Sequence, residues 1–255
     1  SGGVDSALVA AISVKALGCS NVLGIAMPSK YNTEISNTLA EKLCVNLGIK
    51  LKSLPIQELF DLNLNLLHEN IFSNPTWDIT EENLQSRIRS NILMAISNKM
   101  NYMLLSTGNK SEMSMGYSTI YGDLAGGFAP LKDITKTMVY KLCTFYNRKN
   151  SKNKIPKQII TREPTAELRH DQKDSDTLPS YEVLDEVLSL YIEKFWTVNE
   201  ISNSLSVSKS FVRKIINSVQ RNEFKRRQGP PGVKVTDISF GKDRRFPITN
   251  GFENF

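Results

Sequence analysis

The sequence predicts an α/β fold built on a doubly wound parallel sheet, followed by a small C-terminal helical region and an extended tail. Short apolar runs alternate with segments of helical period through the first half of the chain. Two glycine-bearing turns, SGGVDS and STGNKSE, stand where strands would hand over to helices. From Tyr181 onward the pattern becomes helical and local, and Gln228 to Phe255 carries Gly229-Pro230-Pro231-Gly232 and no helical period. On this reading residues 1–180 form an α/β core whose first strand is missing, and 181–255 form the helical region and tail of the same unit.

The elements follow in order. After the opening turn, Ala7, Leu8, Ala11, Ile12 and Val14 supply the buried face of a helix that Gly18 stops. Val22 to Met27 is a short apolar run ended by Pro28 and reads as a buried strand. From Thr33 to Leu47, Ile35, Leu39, Leu43 and Leu47 recur at helical spacing, and Gly48 closes the helix. Ile49 to Ile56 is a second strand, broken near Pro55. Thr80 to Met100 is the clearest helix: Thr80 caps it, Glu81 and Glu82 suit its dipole, and Leu84, Ile88, Ile92 and Ile96 make an apolar stripe. Tyr102 to Ser106 is a strand running into Thr107-Gly108-Asn109, and Thr135 to Tyr146 is helix. Arg148 to Lys157 reads as a solvated loop, and Ile160 to Pro179, polar with proline at both ends, as a mobile one.

Composition narrows the class. The chain has 255 residues, 40% hydrophobic and 23% charged, which is ordinary for a globular protein. No apolar run approaches the roughly 18 residues that span a bilayer, and no signal-peptide pattern opens the chain. Cys19, Cys44 and Cys143 are scattered without metal-ligand spacing, which suits a reducing, cytoplasmic setting. A net charge of +6 is compatible with nucleic acid or with a polyanionic nucleotide, and charge alone does not choose.

In SGGVDS, Gly2 and Gly3 let the backbone approach a ligand closely, and amides at the following helix N-terminus favour an anion. Ser1 and Ser6 add hydroxyl donors. Asp5 is the informative residue, because a carboxylate beside a polyphosphate is repelled unless a cation lies between, which points to Mg²⁺. The turn lacks the lysine of the common P-loop, and alone it could be a helix-capping surface turn.

SGGVDS resembles the pyrophosphate-binding loop of the N-type ATP pyrophosphatases, whose fold is of the adenine-nucleotide alpha-hydrolase-like type. Glu82 to Arg89 (ENLQSRIR), Ser106 to Glu112 (STGNKSE), Gly116 to Lys136 (GYSTIYGDLAGGFAPLKDITK), Arg162 to Leu168 (REPTAEL), Lys225 to Gly232 (KRRQGPPG) and Asp243 to Gly251 (DRRFPITNG) resemble, in order, motifs of the NAD⁺ synthetases. The likeness runs through the whole chain. It implies ATP-dependent amidation of deamido-NAD through an adenylated intermediate, with ATP as co-substrate and Mg²⁺ as cofactor.

The resemblance also assigns residues. ATP contacts fall on Ser1, Gly2, Gly3, Val4, Asp5, Ser6, Arg87, Thr107, Lys136 and Thr165. Deamido-NAD contacts fall on Asn83, Glu112, Asp123 and Lys225, and the metal on Asp5 and Glu112. No protein nucleophile is required. Each assignment has a plainer counterpart: Asn83 as an exposed first-turn residue, Thr107 as a turn hydroxyl, Asp123 as part of a simple turn, Lys136 and Lys225 as solvated charges. Arg89 reads as part of a solvated face, whereas Arg87 lies closer to the buried edge. His68 and His170 match no motif.

The shorter ammonia-dependent synthetases carry a lysine before the YGD turn and an acid after it, where this chain has Ile120 and Gly127. With the long tail, this implies the glutamine-dependent class, in which an N-terminal glutaminase domain supplies ammonia. That domain is absent here, and the chain reads as a piece of a longer polypeptide. Family likeness further implies a homodimer or larger assembly. Two other readings stay open: another ATP pyrophosphatase, such as a GMP or asparagine synthetase, and a helix-turn-helix nucleic-acid binder over Val198 to Val219. For the latter segment the preferred reading is a helical subdomain packed on the core, with no nucleic acid and no membrane as partners.

Overall fold

The computed structural model describes residues 2–73, 76–150, 154–249 and 251. Helix α1 spans Val4–Leu17 and buries Ala7, Leu8 and Ala11, while Ile12 is exposed. Its entry depends on Gly2, at φ 76°, where an added Cβ would lie 2.4 Å from the Ser36 carbonyl oxygen. Strand β1 (Leu23–Ala26) pairs in parallel with β2 (Lys50–Ser53), Leu23 opposite Lys50 and Ala26 opposite Ser53. Between them α2 (Glu34–Leu47) makes the crossover, capped by Thr33 accepting from the Ser36 amide and closed by Gly48 in the left-handed region. Helix α3 (Gln57–Asn70), which the sequence reading leaves without an element, buries only Phe60.

Helix α4 covers Ile79–Met100. Its cap is Asp78 rather than Thr80: the Asp78 carboxylate accepts from the Thr80 amide at 2.6 Å, and Glu81 returns to the Asp78 amide at 2.8 Å. The expected apolar stripe is only half-buried; the residues α4 buries are Glu81, Gln85, Ser86 and Ser90. This helix turns a polar face inward because that face borders the cavity described below.

The doubly wound sheet contracts to that parallel pair. Among the described residues, Tyr102–Ser106 forms no strand, only a parallel bridge between Leu105 and Phe128, with Ser106 N donating to Phe128 O at 2.9 Å. A strand needs a ladder of partners on at least one side. Here one side meets only Gly127 and Phe128, and the other faces the cavity that separates it from β1. The result is a mostly helical α/β arrangement around a small parallel sheet.

The chain continues through α5 (Lys110–Met115), α6 (Lys136–Lys149), α7 (Lys157–Thr161), α8 (Tyr181–Ile192), α9 (Val198–Leu205), α10 (Lys209–Arg221) and α11 (Glu223–Arg226). The expected loop from Arg148 to Lys157 is shortened from both ends by α6 and α7; residues 151–153 lie outside the described residues. One apolar cluster joins α1, α2, α6 and α7. A second joins α8, α9 and α10, with Ile201, Val212, Ile215 and Val219 fully buried. The α9–α10 pair thus commits its apolar face to the protein interior. No helix among the described residues is long and apolar enough to cross a membrane.

The tail is extended in backbone but built into the molecule. Asp133, 2% exposed, accepts from the Val235 and Thr236 amides, both at 2.8 Å. Lys110, 1% exposed, pairs with Asp133 at 2.9 Å and donates to Thr236 Oγ1 and the Ile238 carbonyl. Phe240 and Phe246 complete the second cluster. Replacing Asp133 by Ala leaves the buried ammonium with Glu193, at 2.9 Å, as its remaining counter-charge and strips two tail amides of their acceptor. The expected loss is on the order of 3–5 kcal/mol, read as a lower urea midpoint with release of the tail.

Candidate active site

The glycine turn, the α4 face, residues 102–108, the start of α5, the 116–125 turn and the 162–168 loop enclose one cavity of about 680 Å³. Gly2, Gly3, Val4, Asp5 and Ser6, the N-cap and first turn of α1 among them, line it. The positive end of the α1 dipole therefore faces the cavity, as an anion site requires. Ser1 lies outside the described residues.

At the base of the cavity, Lys136 ties two distant motifs together. Its Nζ lies 2.7 Å from Asp5 Oδ2 and 2.8 Å from Glu112 Oε1. Asn109 holds the pair in register, donating from Nδ2 to Asp5 Oδ1 at 2.9 Å and accepting the Glu112 amide on Oδ1 at 3.0 Å. One side chain thus caps α5 and orients the carboxylate of α1. Burial, then the charge of Asp5, pushes the Glu112 carboxyl up to about 7, with Lys136 pulling the other way. Burial also works against the Lys136 ammonium, but Glu112 and Asp5 outweigh it and hold the ammonium well above the usual lysine range.

Thr107 and Thr165 line the same cavity. The Thr165 hydroxyl donates to the Gln172 carbonyl and accepts from the Glu167 amide, which folds the loop back on itself. Asn83, Asp123 and Lys225 gather elsewhere, around the 116–123 turn. Asn83 accepts from the Thr119 hydroxyl at 2.7 Å, Asp123 accepts from the Thr119 amide at 2.7 Å, and Lys225 donates to the Gly116 and Ser118 carbonyls. Of these three only Asp123 borders the main cavity.

The two arginines of α4 exchange their expected places. Arg87 is exposed, donates to the Ile120 carbonyl, and lines a smaller cleft with Tyr121 and Pro230 instead of the main cavity. Arg89 is the one that faces inward, donating to the Met27 carbonyl, Ser29 and Asn32. Burial brings its guanidinium down to about 10, with Glu167 acting in the opposite sense. The reason is geometric: on α4 the inward face is the polar one, carrying Gln85, Ser86, Arg89 and Ser90.

Glu167 is a further hub. At φ 51° and 8% exposed, it accepts from Asn32, Thr33, Ser36 and Arg162, fastening the 162–168 loop to the start of α2. The loop is therefore held in place by specific contacts, in contrast to the mobile segment read from sequence. Burial opposes the Glu167 charge, but the donors from Ser36, Asn32 and Arg162 outweigh it and lower its pKa. Its contribution is full above the unfolded value of 4.5 and drains as acid takes the pH through the lower folded value. Glu167→Gln is expected to loosen the loop by about 2–3 kcal/mol at neutral pH, measured as faster amide exchange over 162–172. The difference from wild type should shrink below pH ~4, as Glu167 itself protonates.

The NAD synthase family profile matches residues 1–229. The chain belongs to this family. A relative described as glutamine-dependent NAD(+) synthetase of Thermotoga maritima is 49% identical over 257 residues, covering 99% of this chain and 44% of its own length. A glutamine-dependent NAD+ synthetase from Acinetobacter baumannii, solved with ADP, is 40% identical with a TM-score of 0.62, covering 100% of this chain and 45% of that one. An NMN synthetase from Francisella tularensis is 27% identical with a TM-score of 0.73, covering 89% of this chain and 84% of that one. The chain spans less than half the length of the curated relatives it matches.

Within this NAD synthase sequence, several site residues escaped the reading from sequence. Asn109 and Glu167 lie inside quoted motifs, STGNKSE and REPTAEL, yet their bridging roles need the fold. Tyr117, the second residue of the quoted GYSTIYGD block, and Asp174, just past REPTAEL, also line the cavity and were given no role.

Proposed function

We propose that this chain is the synthetase part of a glutamine-dependent NAD⁺ synthetase, amidating deamido-NAD at the cost of ATP, with release of AMP and pyrophosphate. The supporting observation is the convergence of Asp5 and Glu112 on one ammonium, Lys136, beside the N-terminus of α1. Among the described residues no group of three metal-ligating side chains stands ready. Two carboxylates within reach of a single point nevertheless suit Mg²⁺, which takes one or two carboxylates and completes its shell with substrate phosphates and water. When bound there, the ion would neutralise charge on the triphosphate.

The protein residues do the rest by positioning. The first turn of α1 receives the β- and γ-phosphates, and Lys136 is close enough to exchange a carboxylate for a phosphate oxygen. The 162–168 loop, with Thr165, covers the nucleotide. Asn83, Asp123 and Lys225, around the 116–123 turn, hold the acceptor so that its carboxylate meets the α-phosphorus. Ammonia then displaces AMP from the adenylated carboxyl carbon. Ammonia would come from a glutaminase domain of the kind the longer relatives' names imply, and the assembly would be a dimer or a multiple of one.

The test is an assay with ATP, Mg²⁺ and ammonium, offering deamido-NAD, nicotinate mononucleotide, xanthosine monophosphate and aspartate in turn. NAD⁺ and AMP in equal amounts, with deamido-NAD preferred, is the expected result. Preference for the mononucleotide would move the chain towards the NMN synthetase that it resembles.

A further inference from the structure

One buried carboxylate outside the cavity has no counter-ion. Asp185, on α8, is 6% exposed and makes no ion pair among the described residues. A buried charge in that state is costly unless hydrogen bonds and dipoles answer it. Here both oxygens are used. Oδ1 accepts from the hydroxyl of Ser111, which is fully buried in the first turn of α5. Oδ2 accepts from the Thr137 amide at 2.8 Å, in the first turn of α6. The Ser111 oxygen in turn accepts the Lys136 amide at 2.8 Å.

These are bonds that α6 needs. Thr135 stands at its N-cap but makes no side-chain cap bond; its hydroxyl meets Thr137 Oγ1 at 3.3 Å instead. The first two amides of α6 are therefore capped from outside, by Ser111 and by Asp185. The carboxylate also lies at the positive end of the α6 dipole, which favours its charge. Glu112 follows Ser111 in sequence and Lys136 precedes Thr137, so the two bonded groups flank the pair that meets at 2.8 Å at the base of the cavity. Helix α8 is a stiff support for this arrangement. Leu184 and Leu188 are buried in the second apolar cluster, and Tyr181, one turn before Asp185, sets its ring centroid 5.2 Å from Lys136 Nζ.

We propose that Asp185 is a positioning residue for adenylation: by bonding α5 through Ser111 and α6 through Thr137, it sets the register that brings Lys136 Nζ to Glu112. The inference rests on the adenylation reading above and extends it to the C-terminal helical region, which shapes the site without touching substrate. Asparagine at this position keeps the shape but offers one acceptor oxygen where aspartate offers two. With that oxygen on the Thr137 amide, the NH₂ group turns to Ser111, whose hydroxyl proton loses its acceptor. Lys136 is then held in a weaker frame. The first turn of α1, to which Asp185 makes no hydrogen bond among the described residues, keeps its place.

Asp185→Asn, Ser111→Ala and the double variant, made in this chain, test the idea. Pyrophosphate release from ATP and Mg²⁺ with saturating deamido-NAD is measured for each, and divided by the folded fraction from a denaturation curve. The expected result is a fall in kcat of about 30-fold for Asp185→Asn, with the KM for ATP within about twofold of wild type. The double variant should lose no more than about twofold beyond the worse single one, because the two side chains act as one relay. Losses that multiply, a raised KM at unchanged kcat, or a normal kcat per folded molecule would each overturn the proposal and leave Asp185 as a cap that only stabilises the fold. Ser111→Ala removes a single hydroxyl, so a normal kcat in that folded variant overturns it even if the Asp185 variant does not fold. A wild-type chain that releases no pyrophosphate would sink the adenylation reading and this inference together, whereas an active wild type with unimpaired variants ends this inference alone.

Discussion

Asp5→Asn is expected to lower ATP-dependent pyrophosphate release by about 10²- to 10³-fold while leaving the fold in place. The two effects separate because of what Asp5 touches. Its Oδ1 accepts from Asn109 at 2.9 Å, and an asparagine can present its own oxygen there with the same shape. Lys136 keeps Glu112 as a counter-charge at 2.8 Å, so no buried ammonium is abandoned. What disappears is one of the two anionic oxygens able to face a cation bound to triphosphate. Pyrophosphate release with saturating deamido-NAD, alongside a denaturation midpoint for each protein, measures both halves. Near-normal release in a folded variant would take Asp5 out of the chemistry.

The legible and illegible parts of this molecule divide along a physical line. Helices α1 and α2 were readable because each buries an apolar face closed by glycine, and residues such as Leu39, Leu43 and Leu47 are indeed buried. β1 and β2 were readable as short runs between turn residues. The wide sheet was not correctly read, because an apolar run such as Tyr102 to Ser106 states only that it prefers extension. Whether a neighbour supplies a ladder depends on residues remote in sequence. The α4 stripe misled for a related reason. Ile88, Ile92 and Ile96 repeat at helical spacing, yet the side turned inward carries Gln85, Ser86, Arg89 and Ser90, since a site needs polar groups at its wall. That inversion is also why Arg89 is the more buried of the two arginines and Arg87 the exposed one, the reverse of the order expected from sequence. The motifs supplied Asp5, Glu112 and Lys136 individually, and only the fold shows one ammonium joining them across more than a hundred residues of chain.

Lys136→Met should have the widest consequences of any single change. The lysine side chain is 3% exposed, and its carboxylate partners are 17% and 16% exposed. Methionine fills much of the same volume but returns no charge, so Asp5 and Glu112 face each other with their shared counter-ion gone. Breaking a buried pair in this way costs on the order of 3–5 kcal/mol, and adenylation should fall below detection in the same protein. The loss should depend on pH in a definite direction. Glu112 already has a folded value of about 7 against an ordinary 4.5, and without Lys136 it rises further. Stability linked to its proton is full below 4.5 and is lost as the pH climbs through the folded value, so the variant should be nearest to wild type in mild acid and weakest above pH ~8. A divalent cation gives a second handle. If the two carboxylates are a Mg²⁺ site, millimolar Mg²⁺ replaces the missing ammonium and raises the melting temperature of the variant more than that of wild type, through ordinary binding linkage. Equal shifts in both proteins would deny the carboxylate pair any part in holding the metal, even if activity were lost.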